Sequence, residues 1–395
     1  MQRLSLIVGV VGLAAFAIAG VLRSSESGGV KQFFTSYLTA WVFWLSLPVG
    51  CMGFIGIQFV TGASWGVLLR RLLEASTRTL PLLAVLAIPL AISVFMEDAS
   101  PYPWAQAPEK LTDVPAAAEE LKHKFEDWCN APGFLIRLII YFSIWGAFIF
   151  FSNKWGQQVE QTDDRYARRY MENMSGPMVM AFALVNMFAC TDLVMSINLS
   201  WSSTMMPLIY SINQLLTCLC VCIIVFLTLA KQPEIKKLLR PKFQLDMGSF
   251  LLALTMVWSY MNFSQYMLIW AANLPEEIPY YLKRQNGGWE YVAYVLCVFH
   301  FALPFLLLLF RDVKLHAGRL RAVAIGILIM CAFDVIWWIE PADEHKLAGF
   351  YLIMDVAAMV GIGGIWSWLF LAQLKKYPLI PTNYIGQLPG GHHAH

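Results

Sequence analysis

Charge is what this chain has least of: 14% of its residues are Asp, Glu, Lys or Arg, against 58% that are hydrophobic. That leaves too little polar surface to clothe a soluble globule of 395 residues, and it excludes a water-soluble single domain. The few charges balance, 28 basic against 26 acidic, so no basic arm offers the field that nucleic acid binding requires. Haem and cluster patterns are missing as well. There is no Cys-x-x-Cys-His and no iron–sulfur cysteine spacing. His300 alone lies inside an apolar run, so a bis-histidine haem b has no second ligand here. His123, His316, His345, His392, His393 and His395 fall in loops or in the tail. Low-complexity linkers, soluble domains and a strong internal repeat are also absent.

What remains is a succession of long apolar runs. They predict an all-α integral membrane protein with ten transmembrane helices, at 4–22, 37–62, 80–96, 132–153, 176–198, 203–230, 248–273, 289–310, 320–339 and 347–373. Ten spans suit two four-helix bundles plus two peripheral helices. The first run could be a signal peptide ending near Ala17-Ile-Ala-Gly20, but its length favours a retained span. Lys and Arg concentrate in the loops that share a side with Arg3, including Arg70, Arg71, Arg78, Lys236, Lys237 and Lys314. By the positive-inside rule both termini are expected in the cytoplasm, with the tail 374–395 on that side. The opposite side carries a long loop, 97–131, with a short amphipathic helix expected over Ala116 to Cys129. It also carries the loop after Asn273 that holds Glu276 and Glu277, candidates for docking a partner. A loop as long as 97–131 is usually functional.

Polar residues inside the spans are the candidate chemistry, because a polar group in hydrocarbon is costly unless it faces a bundle interior or a water-filled cavity. Counting 1.5 Å per residue places Asp192, Asp334 and Asp355 at one depth, in the half of the membrane away from the cytoplasm. Near mid-depth come Asn213, Gln214, Tyr260, Asn262, Gln265, Tyr266 and His300, with Gln58 at the cytoplasmic end of the second span. The aspartates, His300 and Gln58 are proton-path candidates, since desolvated carboxylates exchange protons near neutrality. The Asn, Gln and Tyr residues are candidates to line a polar or quinone pocket, or to bond across helices as glue.

The eight cysteines read as small buried apolar residues. Cys218, Cys220 and Cys222 suggest a thiolate cluster, but neighbours two apart on a helix point about 200° away from each other, so no metal site is expected. Trp41, Trp44, Trp270, Trp337, Trp338, Trp366 and Trp368 are read as interface or lipid-facing residues.

Several segments together resemble the large membrane subunits of bacterial alternative complex III, a quinol:cytochrome c oxidoreductase, within the NrfD and polysulfide-reductase membrane-subunit group. They are Gln58-Phe-Val-Thr-Gly-Ala-Ser-Trp-Gly66 with Arg70, Arg71 and Glu74; Thr191-Asp-Leu-Val-Met-Ser196; Phe263-Ser-Gln-Tyr-Met-Leu-Ile-Trp270 running into Asn273-Leu-Pro-Glu-Glu277; Gly287-Gly-Trp289; His300-Phe-Ala-Leu-Pro-Phe305; and Asp334. The likeness covers nearly the whole chain after Phe34. It implies a ten-helix subunit of the bacterial inner membrane, without a covalently bound cofactor and with quinone or menaquinone as the ligand to consider. It also implies a homologous quinol-binding partner, multihaem and monohaem cytochrome c subunits, an iron–sulfur subunit and small membrane subunits, with haem and Fe–S held by those partners. Relatives often carry a histidine beside the position of Gln58, where this chain has Phe59. The chain is then expected to be a non-catalytic or weakly quinone-binding subunit that supports quinol oxidation, without a redox cofactor of its own, and that offers a proton path from Gln58 through His300 to Asp192, Asp334 and Asp355; two alternatives stand beside this reading. One makes this subunit the site of quinol oxidation; the other is a secondary transporter, its helices interrupted at Pro48, Pro89 and Pro304.

Overall fold

The computed structural model describes residues 2–26, 28–63, 65–107, 111, 122–123, 125–162, 165–199, 201–232, 235, 239–343 and 349–377. Among the described residues all regular structure is helical. In chain order the helices are α1 (Gln2–Arg23), α2 (Gly29–Thr61), α3 (Trp65–Thr77), α4 (Leu80–Val85), α5 (Ile88–Ser93), α6 (Ala131–Thr162), α7 (Arg165–Leu193) and α8 (Met206–Leu229). Then come α9 (Pro241–Ala272), α10 (Pro279–Arg284), α11 (Trp289–Val295), a π-helical stretch (Leu296–Ala302), α12 (Leu303–Leu309), α13 (Arg311–Leu315), α14 (Ala317–Ile339) and α15 (Gly349–Leu374). Nine described helical segments are long and apolar enough to cross a membrane, which makes this a multi-pass helical membrane protein. α9, the seventh expected span, has 32 residues but does not belong to that set, because Asn262, Gln265 and its neighbouring polar residues dilute its apolar character.

α2 is the central post. It is buried on nearly every face and packs against α3, α7, α8 and α15, whereas α1 exposes most of its surface and runs along α15. The α1–α15 seam depends on small residues: a Cβ on Gly12 would stand 2.7 Å from the backbone nitrogen of Gly361. Without a hydrophobic force between helices in lipid, that close backbone approach supplies the dispersion contacts that hold the pair. α6 and α7 pack with α2 on one side; α9 and α14 pack on α8 on the other, with the π stretch against α9 and α14.

The structure corrects several sequence readings. The third span does not begin at Leu80. It is a broken helix that includes α3 and runs over Leu68–Ser93, interrupted where Pro81 and Pro89 each lack a donor N–H at the start of a short helix. Arg70, Arg71 and Arg78, expected in a loop, gather around Glu74, with Arg70 Nε at 2.9 Å, Arg71 Nη1 at 2.9 Å and Arg78 Nη2 at 3.6 Å. Pairing with Glu74 offsets part of the arginine charge and lowers the cost of burying this turn. Several tryptophans expected at lipid faces are buried instead: Trp41 donates to the Leu83 carbonyl at 2.9 Å and Trp366 to Thr79 Oγ1 at 2.8 Å, in both cases meeting groups of the broken third span. The helix expected over Ala116 to Cys129 lies largely outside the described residues, as does the tail beyond Tyr377.

Candidate functional site

α9 is built to line a cavity. Met256, Tyr260, Phe263 and Tyr266 recur at helical spacing along one face, and Trp258 and Asn262, four apart, flank it. Opposite stand Ala293 of α11, then Leu296, Cys297 and Phe301 of the π stretch, and Asp334 with Trp337, three residues apart on α14. These side chains and Tyr281 enclose a cavity of about 530 Å³. Its rim is exposed, Tyr260 at 68% and Phe263 at 61%, while Trp258, Leu296 and Asp334 at the floor are buried.

The π stretch has a local cause. Pro304 has no N–H to give the carbonyl of His300, four residues back, so the helix widens before it resumes as α12. Widening turns His300 fully inward, where its ring stacks on Trp258 with centroids 3.8 Å apart and its Nε2 lies 3.8 Å from Cys331 Sγ.

Asp334 is the centre of the floor. Its Oδ2 accepts from Asn213 Nδ2 at 2.9 Å and from the Trp258 indole at 2.7 Å, while Oδ1 has no protein donor. No ion pair reaches it among the described residues. A carboxyl group that is 1% exposed, takes two neutral donors on one oxygen and has a second, buried oxygen without a protein donor has no ion pair among the described residues to fix its charge, and it borders the cavity.

Behind this floor lies a clamp. Arg284, buried on α10, donates to the carbonyls of Trp337 at 3.1 Å, Trp338 at 2.9 Å and Tyr280 at 2.7 Å, and its guanidinium stacks on Tyr280 at 3.5 Å. Tyr280 in turn stacks on Trp201 at 3.8 Å. The guanidinium thus meets the negative end of α14, where helix carbonyls lack intrahelical donors. Burial lowers its proton affinity from the ordinary arginine value, while an arginine stays charged throughout the accessible pH range. Burial raises the Tyr281 phenol above its ordinary value, so the hydroxyl at the cavity edge stays neutral.

The other sequence candidates divide. Tyr260, Asn262 and Tyr266 line the cavity, and Asn213 holds its carboxylate. His300 is adjacent. Gln214 points elsewhere, accepting from Asn186 Nδ2 at 2.8 Å. Gln265 and Glu277 border a second cavity of about 420 Å³, where Gln265 Oε1 accepts from Ser203 Oγ at 3.3 Å. Glu276 is exposed in the same loop. Gln58 is buried beside Gly66, with its Oε1 lacking a protein donor, and no hydrogen bond among the described residues connects it to His300.

The three aspartates do not form one layer of shared contacts. Asp192 binds Arg137 through Nε at 2.7 Å and Nη2 at 3.1 Å, and accepts from Tyr141 OH at 2.6 Å and the Trp128 indole at 2.8 Å. Asp355 faces Ser36 and Glu340. Glu340 accepts from Gln32 Nε2 at 2.8 Å and Thr39 Oγ1 at 3.2 Å, so two acids share a buried polar pocket beside α2. Sequence reasoning missed Arg137, Arg284, Trp258 and Glu340 as members of these sites. Arg284 carried one signal, a cation beside the Pro-Glu-Glu loop; the others reach their carboxylates only through tertiary packing.

Fold and site together define a multi-pass helical membrane protein with an aromatic cavity that is exposed at its rim and floored by a buried carboxyl group. No protein-family model and no curated protein matches the chain.

Proposed function

We propose that this chain is the F-type membrane subunit of an alternative complex III, a bacterial inner-membrane quinol:cytochrome c oxidoreductase, and that its cavity receives the quinol ring. In this reading α9 also crosses the membrane, as the seventh of ten spans. The helices α2 to α7 form one four-helix bundle, and α8, α9, α11–α12 and α14 the other, with α1 and α15 peripheral and both termini cytoplasmic. The observation that carries the quinol reading is a buried Asp334 carboxyl group, with one oxygen lacking a protein donor, on the floor of an aromatic cavity with an exposed rim. A planar ring entering from the bilayer meets aromatic walls, and one of its hydroxyls reaches an acceptor that lacks a protein donor. Pockets of this kind are mostly apolar, with a few placed polar groups that fix orientation. Quinol oxidation releases two electrons and two protons; Asp334 takes the proton of the hydroxyl it meets, the proton of the other hydroxyl passes to water, and the electrons leave to haem and Fe–S centres on partner subunits.

The test is purification from the native membrane with partners retained, followed by a haem spectrum, quinone extraction and photolabelling with an azidoquinone. Co-purifying haem and label on the peptide containing Trp258 to Tyr266 support the reading. A haem-free single polypeptide that leaves the azidoquinone unattached overturns it. The break of the third span at Pro81 and Pro89 favours the transporter alternative, which requires substrate uptake by the chain alone in vesicles.

A further inference from the structure

A second constellation lies away from the cavity, where α2 meets α8. The backbones of these helices come close because Gly50 has no side chain: a Cβ there would stand 2.5 Å from the Gln214 carbonyl oxygen and 3.2 Å from Cys218 Cβ. That approach brings Cys51 to the face of α8 that carries Cys218 and Cys222. These two are four residues apart and lie one above the other on the helix surface. The three sulfurs all lie within 4.8 Å of one another, Cys51 and Cys218 at 3.0 Å, and all three residues are buried. Cys220, pointing away on the same helix, does not join them, which is the divergence expected for alternate positions.

We propose that Cys51, Cys218 and Cys222 form a binding site for a thiophilic closed-shell metal ion, Cu(I) or Zn(II). Metal–sulfur bonds of about 2.3 Å hold three sulfurs roughly 3.8–4.0 Å apart in trigonal or tetrahedral arrangement, a spacing these thiols reach by small rotamer changes. Soft sulfur donors select this class of ion over Mg²⁺ or Ca²⁺. Among the described residues this is the one group of three or more candidate ligands gathered closely enough. Ser76 beside Cys51 is an oxygen donor for a fourth position, the one a four-coordinate zinc would use and a trigonal copper would not. Binding displaces thiol protons: one for Cu(I) leaves a neutral site, as do two for Zn(II), and neutrality is what a buried site between membrane helices favours. Such an ion ties α2 to α8 and so joins the two halves of the molecule at mid-bundle. This inference is independent of the quinol reading.

The experiment uses the full chain purified in detergent under anaerobic, chelator-free conditions, with metal content by plasma mass spectrometry and the ligand shell by X-ray absorption. The expected result is about one Cu or Zn per chain with a sulfur-dominated first shell near 2.3 Å. The ion should be lost in Cys222→Ser and retained in Cys220→Ser. Wild-type protein without stoichiometric Cu or Zn, or an ion retained equally in Cys222→Ser, overturns the site. If Cys222→Ser does not fold, the wild-type absorption spectrum decides alone: a shell of nitrogen and oxygen without sulfur overturns the assignment.

Discussion

Asp192 and Asp334 are the same residue type at nearly the same burial, 2% and 1% exposed, yet they live in opposite chemical circumstances. Around Asp192 every requirement of a buried anion is met: a two-pronged arginine, a phenol, an indole, and the Arg137 guanidinium itself stacked 4.3 Å over Trp128. Asp334 has two neutral donors on Oδ2, no cation among the described residues, and a buried Oδ1 without a protein donor, and it lines a cavity. The first arrangement resists change because removing either charge strands the other in low dielectric. The second tolerates a change of protonation because neither state is locked by a partner. Burial of an acid within a membrane bundle therefore does not identify function; the completeness of its partner set does.

That contrast can be broken most forcefully at Arg137. Arg137→Met should destabilise the protein by about 3–5 kcal/mol, by leaving Asp192 buried and unpaired, seen as a large fall in the thermal midpoint in detergent. Asp192→Asn in the Arg137→Met background should recover part of that loss, whereas an equal midpoint in single and double variants would show that the pair is not coupled. Next in size is Arg284→Met. It removes the charged donor from the Trp337 and Trp338 carbonyls and should cost about 1.5–3 kcal/mol. Because the folded-state proton affinity of Arg284 is lowered, its linkage would raise stability with pH only near deprotonation, which arginine does not reach. The midpoint difference between wild type and Arg284→Met should therefore be the same at pH 6 and pH 9; a difference that grows across this range would contradict a permanently charged clamp. Smallest is Asp334→Asn, which keeps size and polarity next to Asn213 and Trp258. Its midpoint should stay within about 1 kcal/mol of wild type in stability, and a loss as large as that of Arg137→Met would make Asp334 a structural acid like Asp192.

Much of the cavity was legible in the sequence, because its polar residues interrupt apolar runs and α9 presents them at helical spacing. Tyr260, Asn262, Tyr266 and Asp334 announce themselves in that way. Their grouping was not legible. Depth counting put three aspartates in one layer, but depth says nothing about which way each helix faces, and the helices turn Asp192, Asp334 and Asp355 into three separate pockets. Gln265, three residues from Asn262, rotates far enough to border the other cavity. Partners from other elements are invisible to a one-dimensional reading: Arg137 and Glu340 sit at span ends, where charge is ordinary, and only tertiary packing brings them to their acids. The cysteines show the same limit. Spacing along α8 correctly separated Cys220 from its neighbours, but Cys51 belongs to a helix more than a hundred residues earlier. The broken third span was hidden because Arg70, Arg71 and Glu74 look like loop residues until they are seen to pair with one another.

The most direct test of the difference between the two aspartates is equilibrium binding of a quinone analogue to the purified protein in lipid nanodiscs, with Asp334→Asn and Asp192→Asn compared against wild type. Loss of the carboxylate acceptor should weaken binding at least tenfold, about 1.4 kcal/mol, in Asp334→Asn, while folded Asp192→Asn should bind like wild type. Equal affinity in Asp334→Asn and wild type would contradict a ligand-facing role for Asp334.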